Sequence, residues 1–169
     1  MKKLLMLGLL LWALVAPGQA AVTTEWATGS ATTLLSTELN TLTNNSFSSA
    51  SATYDNRIGQ TGNGYTICRF ELVATFAANP TANTGISLWI LRTTDGTNFE
   101  NTPTSSVALG RPPDVVLPVT SGQTGTRVMI DTLCPAERFK VSVKNDATGQ
   151  STAASGNTIK ILPITSQGN

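Results

Sequence analysis

The best-spaced reactive side chains in this sequence lie in Thr84–Glu100 (TGISLWILRTTDGTNFE). Asp95, Asn98 and Glu100 are oxygen donors at spacings from which carboxylate and amide groups can touch a hard cation such as Ca²⁺. An EF-hand loop, however, needs a longer ligand array and a fixed glycine, and neither is present. The same residues serve better as turn formers. Asp95-Gly96 follows the short, apolar, β-rich run Ile86–Leu91, and Asp and Gly both accept the positive φ that tight hairpin turns demand. The expectation is a hairpin with solvated polar residues, with Phe99 resuming the apolar pattern.

Other chemistry is sparse. The chain has no histidine, which removes the commonest catalytic acid/base and metal ligand. Ten acidic residues remain, but nothing marks any two as a catalytic pair, and no serine sits in a nucleophile elbow. Gly59–Gly64 is rich in glycine, yet neither a helix nor a phosphate-reaching lysine follows it, so it reads as a turn-rich loop rather than a P-loop. Cys68 and Cys134 are the only cysteines, and two thiols without histidine do not make a zinc site. In an exported chain an even count suggests a disulfide; the alternative is two unpaired thiols, one of them in the core. Trp26, Trp89, Tyr54 and Tyr65 form either an aromatic platform for sugar or core packing, and the apolar surroundings of Trp89 favour packing there. The sequence therefore assigns no catalytic residue, no metal ligand and no cofactor.

The elements around these residues follow from composition and periodicity. Apolar residues make up 40% of the 169, enough for a core, while charged residues are only 12%, about half of ordinary usage. Ser, Thr, Asn and Gly fill the difference, which suits strands whose outward positions are Thr and Ser. A net charge of +1 gives no electrostatic reason to expect nucleic acid or an anionic membrane as partner. Met1-Lys2-Lys3, the 13-residue apolar run Leu4–Ala16 and the small residues Gly18 and Ala20 have the three-part form of a secretory signal, with cleavage expected after Ala20. The run is shorter than the roughly 20 residues a spanning helix needs. Its removal leaves 9 basic against 10 acidic residues, a net charge of −1.

Residues 21–53 read as an N-terminal arm or first strands, and 54–169 as the body. Val22–Leu35 is extended with a break at Gly29. Ser36 is expected to cap one helical turn that puts Leu39 and Leu42 on one face. Ser46–Thr53 is a weakly apolar strand or a loop. Tyr65–Phe76 alternates most clearly, with Cys68, Phe70, Leu72, Ala74 and Phe76 on one side. The turn at Asn79–Gly85 is expected to make this strand and Ile86–Leu91 antiparallel neighbours. Glu100–Asp114 is a long Pro- and Ser-rich excursion of the kind that forms surface or binding loops. Val115–Val119 is a short strand that Pro118 places at an edge. Thr126–Asp131, Arg138–Lys144 and Thr158–Ile164 complete a set of seven to nine short strands. This pattern predicts an all-β antiparallel sandwich of jelly-roll or other Greek-key type.

Several segments occurring in order carry a resemblance. They are Trp26-Ala27-Thr28-Gly29, Thr37–Leu42 (TELNTL), Tyr54-Asp55-Asn56, Phe70-Glu71-Leu72, Leu88–Leu91 with Asp95–Phe99, and Phe139–Asn145 (FKVSVKN). Over about Val22 to Ile164 the chain resembles small virion structural proteins of tailed bacteriophages, of the head-decoration or cement kind. The resemblance implies a β-sandwich on the particle surface, oligomeric, bound to the major capsid protein or other virion proteins and without catalytic residues. The signal-like segment departs from it, because capsids normally assemble in the host cytoplasm. The alternative expectation is therefore an exported β-sandwich, periplasmic or secreted. It would bind carbohydrate or a cell surface through Gly59–Gly64 and Glu100–Asp114.

Overall fold

The computed structural model describes residues 24–58, 64–81, 83–104 and 109–168. The apolar run Leu4–Ala16 and its cleavage point lie outside the described residues. Strands β1 (Thr24–Thr28), β2 (Thr32–Leu35), β3 (Tyr54–Asp55), β4 (Ile67–Thr75), β5 (Thr84–Leu91), β6 (Val115–Val119), β7 (Gly125–Leu133), β8 (Arg138–Asp146) and β9 (Thr158–Gly168) form two sheets. One sheet has the order β1-β9-β4-β7, with β2 also on β9; the other has the order β3-β8-β5-β6. Every ladder is antiparallel. Among the described residues the helical content is the single 3-10 turn Thr37–Leu39. The protein is all-β and antiparallel.

Alternation builds the shared core. Cys68, Phe70, Leu72 and Ala74 of β4 and Ile159 and Ile161 of β9 meet Ile86, Leu88 and Ile90 of β5 and Phe139, Val141 and Val143 of β8 in one buried cluster. Side chains two apart on a strand share a face, so each strand contributes one alternate set. Leu34, Leu35, Leu39 and Leu42 join the same cluster. The 3-10 turn holds the last two there, but Ser36 does not cap it: its side chain makes no capping bond. Instead Glu38 reaches back and accepts the Ser36 backbone N–H at 2.9 Å, the carboxylate half of a capping box.

One expectation about strand neighbours needs correction. β4 and β5 are not paired; the chain between them crosses from one sheet to the other. The crossing is fixed by backbone bonds to distant loops, Ala77 N–H to Ser151 C=O and Thr81 N–H to Thr148 C=O. Local spacing carries no signal of such partners. Of the two readings of Ser46–Thr53, weakly apolar strand or loop, the structure has the loop, with only an isolated bridge from Phe47 to Lys144. Ser48 and Ser51 nevertheless cover the edge of β8, each using its backbone N–H and its hydroxyl to bond Val143 and Val141. A polar stretch thus takes the place of a strand.

β5 is buried along both faces. Trp89 lies on the face opposite the shared core, with its ring 5.3 Å from that of Phe47 and its indole N–H donating to the Arg111 carbonyl at 3.3 Å. The break at Gly29 has a similarly specific cause. The Gly29 N–H donates to the Pro163 carbonyl at 2.8 Å, but Pro163 has no N–H to return, so the pair is half-formed. A Cβ on Gly29 would lie 2.7 Å from the Pro163 ring and from the Tyr65 hydroxyl.

Cys68 and Cys134 are joined in a disulfide, with Cα atoms 4.8 Å apart and a sequence separation of 66. It ties the fully buried Cys68 of β4 to the chain just beyond β7. Closing a loop of this length stabilises by about 4 kcal/mol in the chain-entropy account, a large share of the roughly 5–15 kcal/mol typical of a domain. Reduction, or the double substitution Cys68→Ala/Cys134→Ala, is expected to lower the unfolding free energy by about 4 kcal/mol in urea titrations. A loss below about 1 kcal/mol would mean that the bridge closes no entropically costly loop.

Candidate functional site

Asp95 closes a turn rather than a metal site. Its Oδ1 accepts the backbone N–H groups of Thr97 (2.8 Å) and Asn98 (2.7 Å) and the Thr93 hydroxyl (3.0 Å), and its Oδ2 accepts the Asn98 amide at 2.6 Å. These donors, the Asn98 N–H first, hold the carboxyl well below the usual range. The expected tight hairpin is not formed. Thr93 and Phe99 make an isolated bridge across a longer loop, with Gly96 at φ +75°, and β5 pairs with β6 and β8 instead. An Asp that satisfies several N–H groups at once stabilises this wider Asx-type turn.

Glu100, the third member of the expected oxygen cluster, faces other partners. Arg111 donates through Nη2 (2.9 Å) and Nε (3.3 Å) to Glu100, through Nη1 to Asp114 at 2.7 Å, and through Nη2 to the Ile90 carbonyl at 2.8 Å. Asp114 in turn accepts the Ile90 N–H at 2.7 Å. Burial pushes the Glu100 carboxyl up, but Arg111 and the Arg92 N–H outweigh it and the net shift is downward. Both described ends of the Glu100–Asp114 excursion are thereby pinned to β5. Among the described residues no group of three or more Asp, Glu or Cys side chains is arranged to hold a metal ion.

A third ionic centre surrounds Asp55. Arg57 donates to both of its carboxylate oxygens (3.0 and 2.8 Å), and Arg138 Nε donates to Oδ2 at 3.0 Å. Arg138 also reaches the Gly96 carbonyl at 3.4 Å, linking this centre to the Asp95 turn. The Arg57 bond, opposed by partial burial and helped by Arg138, moves the Asp55 carboxyl far down. Beside it lies an open depression of about 410 Å³ lined by Tyr54, Asp55, Tyr65, Thr32, Thr53, Ser30 and Pro163. Burial raises the Tyr54 phenol, and neighbouring Tyr65 adds to the shift. Of the four candidate platform aromatics, the structure brings together Tyr54 and Tyr65. Trp89 is covered, and the Trp26 side chain and Gly59–Asn63 lie outside the described portion.

The residues that sequence reasoning missed are three buried asparagines. Asn56 donates to the carbonyls of Tyr65 (2.9 Å) and Pro135 (2.8 Å) and accepts the Tyr65 N–H at 3.0 Å. Asn145 donates to the carbonyls of Leu42 (3.0 Å) and Gln150 (2.7 Å) and accepts the Thr148 hydroxyl at 2.6 Å. Asn157 accepts the Thr75 N–H at 2.9 Å and donates to Asn40 and to the Ala153 carbonyl. Each stands in for a peptide group where no strand supplies one. The available signal was weak: an Asn beside a strand end looks like any turn residue.

Two outcomes are expected. Asn56→Leu keeps the branched outline but removes the side-chain partner of three backbone groups, the Tyr65 N–H and C=O and the Pro135 C=O, and should cost about 3 kcal/mol in chemical denaturation; a cost within about 0.5 kcal/mol would show that they find other partners. The second concerns acid. Asp55, Asp95, Glu100 and Asp131 all titrate below their ordinary values when folded. Their stabilisation is therefore complete above the unfolded value of about 4 and is lost as pH falls through the folded values. The urea midpoint should be level from neutrality to about pH 5 and fall below about pH 4. Asp55→Asn should lower the neutral plateau and flatten the acid limb; an unchanged limb would exclude Asp55 from this linkage.

No protein-family profile matches this chain, and no curated protein or solved structure matches it either.

Proposed function

We propose that this chain is a non-enzymatic structural protein, a β-sandwich of jelly-roll or other Greek-key type that decorates or cements the capsid surface of a tailed bacteriophage. The observation that carries this reading is the state of its carboxylates. Every carboxyl group whose titration is displaced among the described residues is displaced downward, held as the anion by arginine, backbone N–H groups and neighbouring side-chain donors. A general acid at neutral pH needs the opposite displacement. The charges are spent on fixing turns and strand pairs. The ordered resemblance of the segments from Trp26 to Asn145 supplies the particle, with the major capsid protein or another virion protein as partner and a homo-oligomer as the attached form. Nucleic acid is not a partner in this reading.

A second reading, an exported binding module in the periplasm or medium, is favoured by a specific observation. The Cys68–Cys134 bridge suits an oxidising compartment, and the Tyr54–Tyr65 depression beside Asp55 offers rings and a carboxylate to a glycan.

Protein expressed from the 169-residue sequence should co-sediment with capsids lacking it and raise their resistance to heat. Failure to co-sediment, with no gain in capsid stability, would overturn the capsid reading. A glycan array distinguishes the second: binding that is lost in Tyr65→Ala supports it, and an array without binders removes it.

A further inference from the structure

The four sheet edges are not alike. β3 is two residues long, and the rest of β8 on that side is covered by Ser48 and Ser51. β6 has five residues and contains Pro118. The β1–β2 edge is interrupted at residues 29–31 and shifts register between Thr33 and Leu35. Each of these devices blunts an edge against pairing with another chain. β7 has none of them. It runs nine residues without Pro or Lys and pairs with β4 in unbroken register from Gly125 to Leu133, while its other side ends the sheet.

The direction of its free backbone groups can be read from the flanking bonds. Cys134 N–H donates to Thr66 C=O, and Phe76 N–H donates to Thr124 C=O. In an antiparallel ladder the bonded pairs alternate, so the even-numbered residues between them bond β4. Gly125, Arg127, Met129, Asp131 and Leu133 therefore direct N–H and C=O at the open edge. Their side chains share the outward face, where Met129 is 49% and Leu133 80% exposed.

We propose that β7 is a self-pairing edge, joining two copies of this chain antiparallel about a two-fold axis at Met129 into one continuous sheet. In that register Arg127 lies opposite Asp131 of the second copy, twice by symmetry, and Met129 lies opposite itself. About ten backbone hydrogen bonds form. The register is selected by charge. A two-fold centred on Arg127 or Asp131 opposes like charges, and one centred on Val128 or Ile130 sets a charge against Met129. The Met129 register alone pairs opposite charges across the seam. Within each chain Asp131 already binds Arg69 (2.7 Å) and Arg127 binds Glu71 (3.0 Å). Dimerisation thus extends these pairs into rows of alternating sign, Arg69–Asp131–Arg127–Glu71, across the junction.

Sedimentation equilibrium of the 169-residue protein tests this without capsids, so its failure leaves the attachment reading standing. The expected wild-type species is a dimer. Arg127→Asp and Asp131→Arg should each weaken it by about tenfold or more, because each opposes like charges, and an equimolar mixture of the two should restore a heterodimer. Circular dichroism checks that both remain folded. If either does not, Met129→Cys decides: mild oxidation should give a covalent dimer, whereas Val116→Cys on β6 should not. A monomeric wild type, a dimer indifferent to Arg127→Asp, a folded pair that stays monomeric on mixing, or no cross-link at Met129→Cys would overturn the proposal.

Discussion

The fold depends on satisfying backbone groups where the sheets do not reach. An all-β chain places many peptide groups in connections, and a buried N–H or C=O without a partner costs about 1–3 kcal/mol. Asn56, Asn145 and Asn157 are each at most 2% exposed, and each bonds two or more otherwise separate loop segments. Ser48 and Ser51 do the same along β8. An amide side chain offers a donor and an acceptor in nearly the geometry of a peptide. It can therefore join a loop to a strand without requiring the loop to become a strand. The composition, poor in charge and rich in Ser, Thr and Asn, has its structural use here.

How much of this was legible depended on the range of the interaction. β4, β8 and the first half of β9 could be read because alternation is a property of neighbouring residues, and in β4 and β8 burial follows it almost residue by residue. The edge position of β6 was legible because Pro118 lacks a donor. The assignment of β4 and β5 to different sheets was not. It rests on Thr81 reaching Thr148 and Ala77 reaching Ser151, partners about seventy residues away. The Asp95 turn was half legible: its residues announced a reversal, but the donors captured by one carboxylate set its width.

The same distinction governs the candidate site. Asp95, Asn98 and Glu100 are close in sequence and were natural candidates for a shared ion. In the folded chain Asp95 is occupied by its own turn and Glu100 by Arg111, so sequence proximity did not become a ligand array. Tyr54 and Tyr65 are separated by a glycine-rich loop and come to line one depression. Asn56 accounts for this by gripping Tyr65 through both its N–H and its C=O. A structural amide thus positions two aromatics that meet at an open surface.

Charge is used with economy, and its placement separates the two layers. Around β3 and β5 the arginines turn inward to loops: Arg138 links Asp55 to Gly96, and Arg111 links Glu100, Asp114 and Ile90. Those pairs fix local shape and are partly sheltered. On β4 and β7 the pairs Arg69–Asp131 and Arg127–Glu71 lie on an exposed sheet face, where an isolated pair contributes roughly 0–1 kcal/mol. Such weak pairs are a poor explanation for folding. They are better suited to setting which surface can lie alongside the strand, since opposing like charges costs energy even where attraction gains little. The sheet with guarded edges therefore serves the fold, and the open, charge-patterned edge of the other is what the proposed pairing of two copies rests on.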